Sequence, residues 1–240
     1  ATTGRFETSN PLVNQIHKNS YWGIRSNYRG MPTDCPQRDE RLGWTGDTQI
    51  FCGAATYNAD ADGFLRKWLG DARDSQRYSP GYSDVIPAIG ALSTKNQDGN
   101  AAWGDAPVIV PYMLWLKYGD TETIREHFDS MESYMAFLAT LTPAGPRERF
   151  GDWLCYEDTP KPYISLCLYA CDAGLMEKYA NILGKPDRAA HYHALLEELR
   201  ARFAVQYLKN GELTVRSQTA CLLAIRYGLV PVSYTHLTLP

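Results

Sequence analysis

Residues 34–47 read Asp-Cys-Pro-Gln-Arg-Asp-Glu-Arg-Leu-Gly-Trp-Thr-Gly-Asp, which puts four carboxylates (Asp34, Asp39, Glu40, Asp47), two arginines (Arg38, Arg41) and Trp44 within fourteen residues. Pro36, Gly43 and Gly46 break any helix there. A solvated loop has little use for a tryptophan, and a core has little use for six charges. Carboxylates beside an aromatic platform suit glycosidic-bond chemistry. One carboxyl gives a proton to the departing oxygen while a second acts as base or nucleophile across the sugar. The acid must stay protonated near neutral pH, through desolvation or nearby like charge. Asp34, Asp39 and Asp47 can supply like charge to Glu40, and Arg38 and Arg41 can keep aspartates ionised through bidentate pairs. Asp39 and Arg41 read better as a surface ion pair. The run by itself does not choose among its four carboxylates.

Two more tryptophans have similar company. Trp103-Gly104-Asp105 and Gly151-Asp152-Trp153 repeat the mixture found in Trp44-Thr45-Gly46-Asp47. Aspartate ahead of a helix satisfies free amide groups, so Asp47 and Asp105 are expected at or beside caps. Capping leaves the indoles unexplained. An indole with a carboxylate beside it suits a pyranose, whose C–H face stacks while its hydroxyls donate hydrogen bonds. Other chemistries lack their motifs: there is no G-x-S-x-G elbow, Walker A loop or H-E-x-x-H pair. His191 and His193 are two residues apart and point to different sides of a helix, and His17 and His127 look incidental. No metal or cofactor is implied.

The elements that must position these residues are helical. Ile124, Phe128, Met131, Met135, Leu138 and Leu141 recur at three- and four-residue steps over 124–141. Similar stripes predict helices over 10–28, 47–58, 60–75, 106–118, 162–183, 186–208 and 217–228. Asn10-Pro11 and Pro186 suit helix starts, and Gly184 and Gly228 suit helix ends. Trp22, Trp68 and Trp115 lie on apolar stripes and are assigned to packing. Residues 212–215 follow an Asn-Gly turn and read as a short extended piece without a sheet. The fold class is therefore all-α, about eight helices, with short turns at one end and three long loops (29–46, 76–105, 142–161) at the other. Long connections in compact domains are uncommon and often functional.

Bulk properties bound the partners. The chain has 240 residues, 44% apolar and 21% charged, with net charge −3 and no basic stripe, which argues against nucleic acid. No apolar run reaches membrane-spanning length, and the first residues do not resemble a signal peptide. Six cysteines lack C-x-x-C pairing or zinc-ligand spacing; Cys167 and Cys171, four apart on one helix face, read as buried free thiols, and the six without a framework lean to a reducing, cytoplasmic setting.

The 34–47 run closely resembles the signature of bacterial α-L-rhamnosidases, glycoside hydrolase family 78. Residues 20–27, 102–106, 150–153, 217–220 and 228–231 resemble further family segments in family order, so the resemblance covers about residues 5–231. It implies an (α/α)6 toroid, the six-hairpin glycosidase fold, here with about eight of twelve helices. It also implies inverting cleavage of terminal α-L-rhamnose from rhamnosides. Carried over, Glu40 matches the general acid. Asp34, Trp44 and Asp47 match residues lining the rhamnose pocket, and Trp103 and Trp153 match its other aromatic walls. Arg38, Asp105 and Asp152 complete the expected substrate-binding set.

The resemblance also implies a general base, a glutamate in a later loop, and a pocket histidine, both beyond residue 240. Residues 1–232 are read as a partial catalytic domain, and 233–240 as a non-family, junction-like tail. On this reading the 240 residues alone are inactive and poorly stable, since an open toroid leaves apolar faces without partners. Two rivals remain: a product that binds rhamnosides without cleaving them, and another six-hairpin glycoside hydrolase.

Overall fold

A computed structural model describes residues 2–89, 98–141 and 146–230. Eight helices carry the chain: α1 (Pro11–Asn27), α2 (Thr45–Asn58), α3 (Asp62–Ser75), α4 (Ala106–Tyr118), α5 (Thr121–Thr140), α6 (Lys161–Ile182), α7 (Pro186–Tyr207) and α8 (Gln218–Arg226). Each predicted stripe forms a helix, with ends shifted by a few residues. The expected terminal signals operate. The Asn10 side chain accepts from the Leu12 amide behind a proline in the first turn, and Gly184 and Gly228 take left-handed φ values of 67° and 63° at helix ends. The all-α expectation needs one small amendment. Residues 208–209 (β1, Leu208–Lys209) pair antiparallel with β2 (Glu212–Leu213), so the extended piece finds a partner across the Asn210-Gly211 turn.

α2, α4, α6 and α8 touch in succession, while α3 and α5 pack on α4 and on each other, α5 also touches α6, and α7 runs along α6. This is hairpin stacking in two rows. α6 sits at the middle of one row and accordingly buries residues around most of its circumference, from Tyr163 and Cys167 to Met176 and Tyr179. Each large side chain so buried contributes roughly 1.5–3 kcal/mol before entropy is counted. Trp68 is fully buried and Trp115 packs against the core, as expected. Trp22 departs from its assignment. It is 54% exposed on α1, which buries only Ile24, and the Arg25 guanidinium covers its ring at 4.7 Å. All six cysteines are free, with Cys52, Cys167 and Cys221 buried. No helix among the described residues is long and apolar enough to cross a membrane. The expectation for residues 233–240 lies outside the described residues.

Candidate active site

The described parts of the three long loops gather on one face, and backbone contacts explain how. The first loop lies along residues 83–86: Thr45 N donates to Asp84 O at 2.9 Å, Ile86 N donates to Gly43 O at 2.9 Å, and Trp44 bridges Val85. Gly43 has to be glycine, because a Cβ there would stand 2.2 Å from the Ile86 carbonyl oxygen. Gly46 opens α2 directly beneath the Trp103 indole, where a Cβ would meet the ring at 2.8 Å. Among the described residues, each of these loops holds one non-glycine residue in the left-handed region: Arg41 (φ 46°), Ala102 (φ 72°) and Leu154 (φ 56°). Such strain costs on the order of 1 kcal/mol or more and tends to collect at functional sites.

The tryptophans meet around a residue that spacing alone did not single out. Phe150 lies 4.4 Å from Trp103, 5.8 Å from Trp44 and 5.7 Å from Trp153, ring centre to ring centre, and Trp103 and Trp153 are 6.4 Å apart edge to face. Next to this cluster is an open pocket of about 460 Å³, a size that suits a sugar unit. Asp34, Asp47, Trp103 and Trp153 line it, joined by Asn27 and Tyr28 near the end of α1 and by Ile50 and Phe51 of α2. Asp34 Oδ1 is buried without a hydrogen-bond donor. Burial and then the neighbouring Asp34 charge raise the Asp47 carboxyl above its ordinary value. Like charge therefore does act in this loop, on Asp47.

Glu40 lies on the exposed stretch 36–41, and Glu40, Arg38 and Trp44 are not among the residues that line the pocket. Trp44 Nε1 donates to Glu40 Oε1 at 3.2 Å, which ties the carboxyl to the aromatic cluster. Arg38 is exposed as well, and neither Arg38 nor Arg41 forms an ion pair among the described residues, so the expected bidentate pairs are absent there.

The three Trp/Asp/Gly triplets diverge at their aspartates. Asp105 is fully buried beneath the pocket, and its expected substrate contact is corrected: all its acceptor directions are occupied. Oδ1 accepts from Tyr134 Oη at 2.7 Å and Arg147 Nη1 at 3.0 Å, and Oδ2 accepts from Ala102 N at 2.8 Å and Arg147 Nη2 at 3.2 Å. Burial works against the Arg147 charge, but the Asp105 carboxylate more than compensates and raises its pKa. Asp172 from α6 completes the cluster. Burial, and then the Asp105 charge, push its carboxyl well above the usual range. Neither Asp172 oxygen has a hydrogen-bond partner, and burial beside Asp105 favours its neutral form. Asp152 is not among the residues that line the pocket either. Its Oδ2 accepts from Thr159 Oγ1 at 3.0 Å, and Thr159 bonds Ser217, the N-cap of α8, at 2.6 Å.

Beyond Phe150, sequence reading missed the residues that lock the loops: Asp84, Asn100, Arg147 and Arg149. Phe150 had a signal, since it opens the Phe-Gly-Asp-Trp segment. The other four carry none, because their roles rest on partners distant in sequence. Among the described residues no cluster of His, Cys, Asp or Glu could hold a metal ion.

Stacked helical hairpins carry loop-borne carboxylates and indoles around one sugar-sized pocket, the class of a helical-hairpin carbohydrate site. The comparisons narrow this. The bacterial α-L-rhamnosidase six-hairpin glycosidase domain matches residues 1–237, and the chain belongs to that family. It is 39% identical over 233 residues to an α-L-rhamnosidase of Streptomyces avermitilis, covering 95% of this chain and 22% of that protein. It is 33% identical over 239 residues to one of Formosa agariphila, covering 95% and 25%. The crystal structure of the Streptomyces avermitilis enzyme complexed with L-rhamnose superposes with a TM-score of 0.89 at 36% identity, covering 98% of this chain and 23% of that one. The native enzyme of Aspergillus terreus gives 0.86 at 30% identity, covering 97% and 28%. The chain thus spans about a quarter of the length of these relatives.

Proposed function

We propose that this chain supplies the acid-bearing side of the rhamnose site in a longer inverting α-L-rhamnosidase. The observation that carries the reading is the convergence of Trp44, Trp103 and Trp153 on Phe150 beside the Asp34/Asp47 pocket, in a chain of this family. Asp34 and Asp47 accept hydroxyls of the sugar, and the indoles of Trp103 and Trp153 cover its C–H faces. Arg38 adds a donor from the exposed side of the loop. Glu40 protonates the departing glycosidic oxygen, and the Trp44 hydrogen bond holds the carboxyl in place. A base from outside these 240 residues activates the water that attacks from the opposite face, the arrangement that gives inversion. Asp105 and Asp152 support the site from beneath.

The test is hydrolysis by the longer enzyme of aryl α-L-rhamnoside and natural rhamnosides, with the freshly released anomer followed by NMR. Release of L-rhamnose as the β anomer is expected, together with no turnover by the 240 residues alone. Binding of rhamnosides without release would support a non-catalytic role, and preference for another glycoside would assign the site to a different substrate.

A further inference from the structure

Asp84 is the residue through which the three loops of the site are joined. It is 3% exposed and lies in the second loop, well before Trp103 in the chain. Its backbone oxygen accepts from both the amide and the hydroxyl of Thr45, at 2.9 and 3.0 Å, and so fixes the segment that follows Trp44. Its carboxylate Oδ2 accepts from Asn100 Nδ2 at 2.7 Å, which reaches the loop of Trp103. Asn100 Oδ1 in turn accepts from Arg149 N at 3.1 Å. The Arg149 guanidinium lies 3.7 Å from Asp84 Oδ2 and stands over the Phe150 ring at 5.0 Å. Phe150 is the ring on which all three indoles converge. One buried carboxyl thus reaches the whole aromatic wall through a single cation.

We propose that Asp84 is a positioning residue of the sugar site, holding the acid-bearing loop and the two later tryptophan loops in register through Thr45, Asn100 and Arg149. Its importance for turnover rests on the rhamnosidase reading; the mechanical coupling does not. The charged groups facing Asp84 are Arg149, which favours its ionised form, and Asp98 and Asp105, which oppose it. Asp84 Oδ1 is buried with no donor. Burial, partly offset by Asn100 and Arg149, pushes the carboxyl up to about 7. Near neutral pH it therefore changes between an acid that leaves Arg149 to Phe150 and a carboxylate that draws Arg149 inward. Asp98, raised to about 6 by burial, packs instead against Gly81.

The experiment follows the tryptophan band of near-ultraviolet circular dichroism of the 240-residue chain from about pH 5 to pH 9, where Asp84 titrates. The expected result is a titration with a midpoint near neutrality in the parent chain. It should be lost in Asp84→Asn, which stays neutral but keeps an acceptor for Asn100, lost in Arg149→Met, and kept in Asp98→Asn. A flat parent band, or one that titrates equally in Asp84→Asn, overturns the proposal. A purely structural role would lower the melting temperature of the variants without abolishing the pH response. The readout needs no hydrolysis, so the proposal can fail while the rhamnosidase reading stands, and the reverse.

Discussion

The acid-bearing loop and the aromatic wall lie side by side, yet they are held by different physics. Residues 36–41 are exposed, and the Glu40 carboxyl is held by one side-chain bond, from Trp44. The loops of Trp103 and Phe150 are stitched together from below by Arg147. It bonds Asp105 twice, Tyr134 and the Gly99 carbonyl, while Ala101 N donates to its own carbonyl at 3.1 Å. Under the proposed function the difference separates two tasks. A wall that stacks a sugar works best when it is fixed before the sugar arrives. A carboxyl that moves a proton has to stay within reach of solvent and leaving group.

The largest effect should come from cutting the stitching under the wall. Arg147→Met leaves the Asp105 carboxylate buried and uncompensated, and removing one member of such a pair costs about 3–5 kcal/mol. Urea unfolding measures the loss, and a change below about 1 kcal/mol would mean the buried pair is not what holds the wall.

Next in size is a pH effect. Asp84 and Asp98 are raised by burial to about 7 and about 6. Raised carboxyls stabilise the fold fully below their unfolded values and lose that contribution as pH rises through the folded ones. Stability should therefore fall between about pH 4 and pH 7.5, by on the order of a few kcal/mol for the two together. Asp84→Asn with Asp98→Asn should flatten that slope in urea titrations at several pH values.

A smaller and sharper contrast sits within the buried cluster. Burial favours the neutral form of Asp172 and neither of its oxygens has a partner, so Asp172→Asn should cost less than about 1 kcal/mol. Asp105→Asn should cost several times more, because Arg147 then loses its counter-charge. Equal losses would contradict the pairing of Arg147 with Asp105 rather than Asp172.

The same contrast marks what the sequence made legible. Helices follow local periodicity and capping, so all eight spans and the loops between them could be read, as could Trp44, Trp103 and Trp153 as partners. Burial of individual loop residues depends on contacts far along the chain. Trp-Gly-Asp at 103–105 and Trp-Thr-Gly-Asp at 44–47 look alike in sequence, yet Asp47 faces the pocket while Asp105 is sealed beneath it by Arg147, forty-two residues on. Trp22 sits on a helical stripe that reads as a buried face, and the structure leaves it half exposed under Arg25. Asp84 and Arg149 carry no local signal, since only the packed loops bring them together.

The central claim is that the loosely held Glu40 moves the proton while the fixed wall holds the sugar. Glu40→Gln in the longer enzyme tests it, assayed on a rhamnoside with a poor leaving group and on an activated aryl rhamnoside. The account predicts a loss of about 10²–10⁴-fold on the poor leaving group and a much smaller loss on the activated one, with stability changed by no more than about 0.5 kcal/mol. Near-parental activity on the poor leaving group would contradict it.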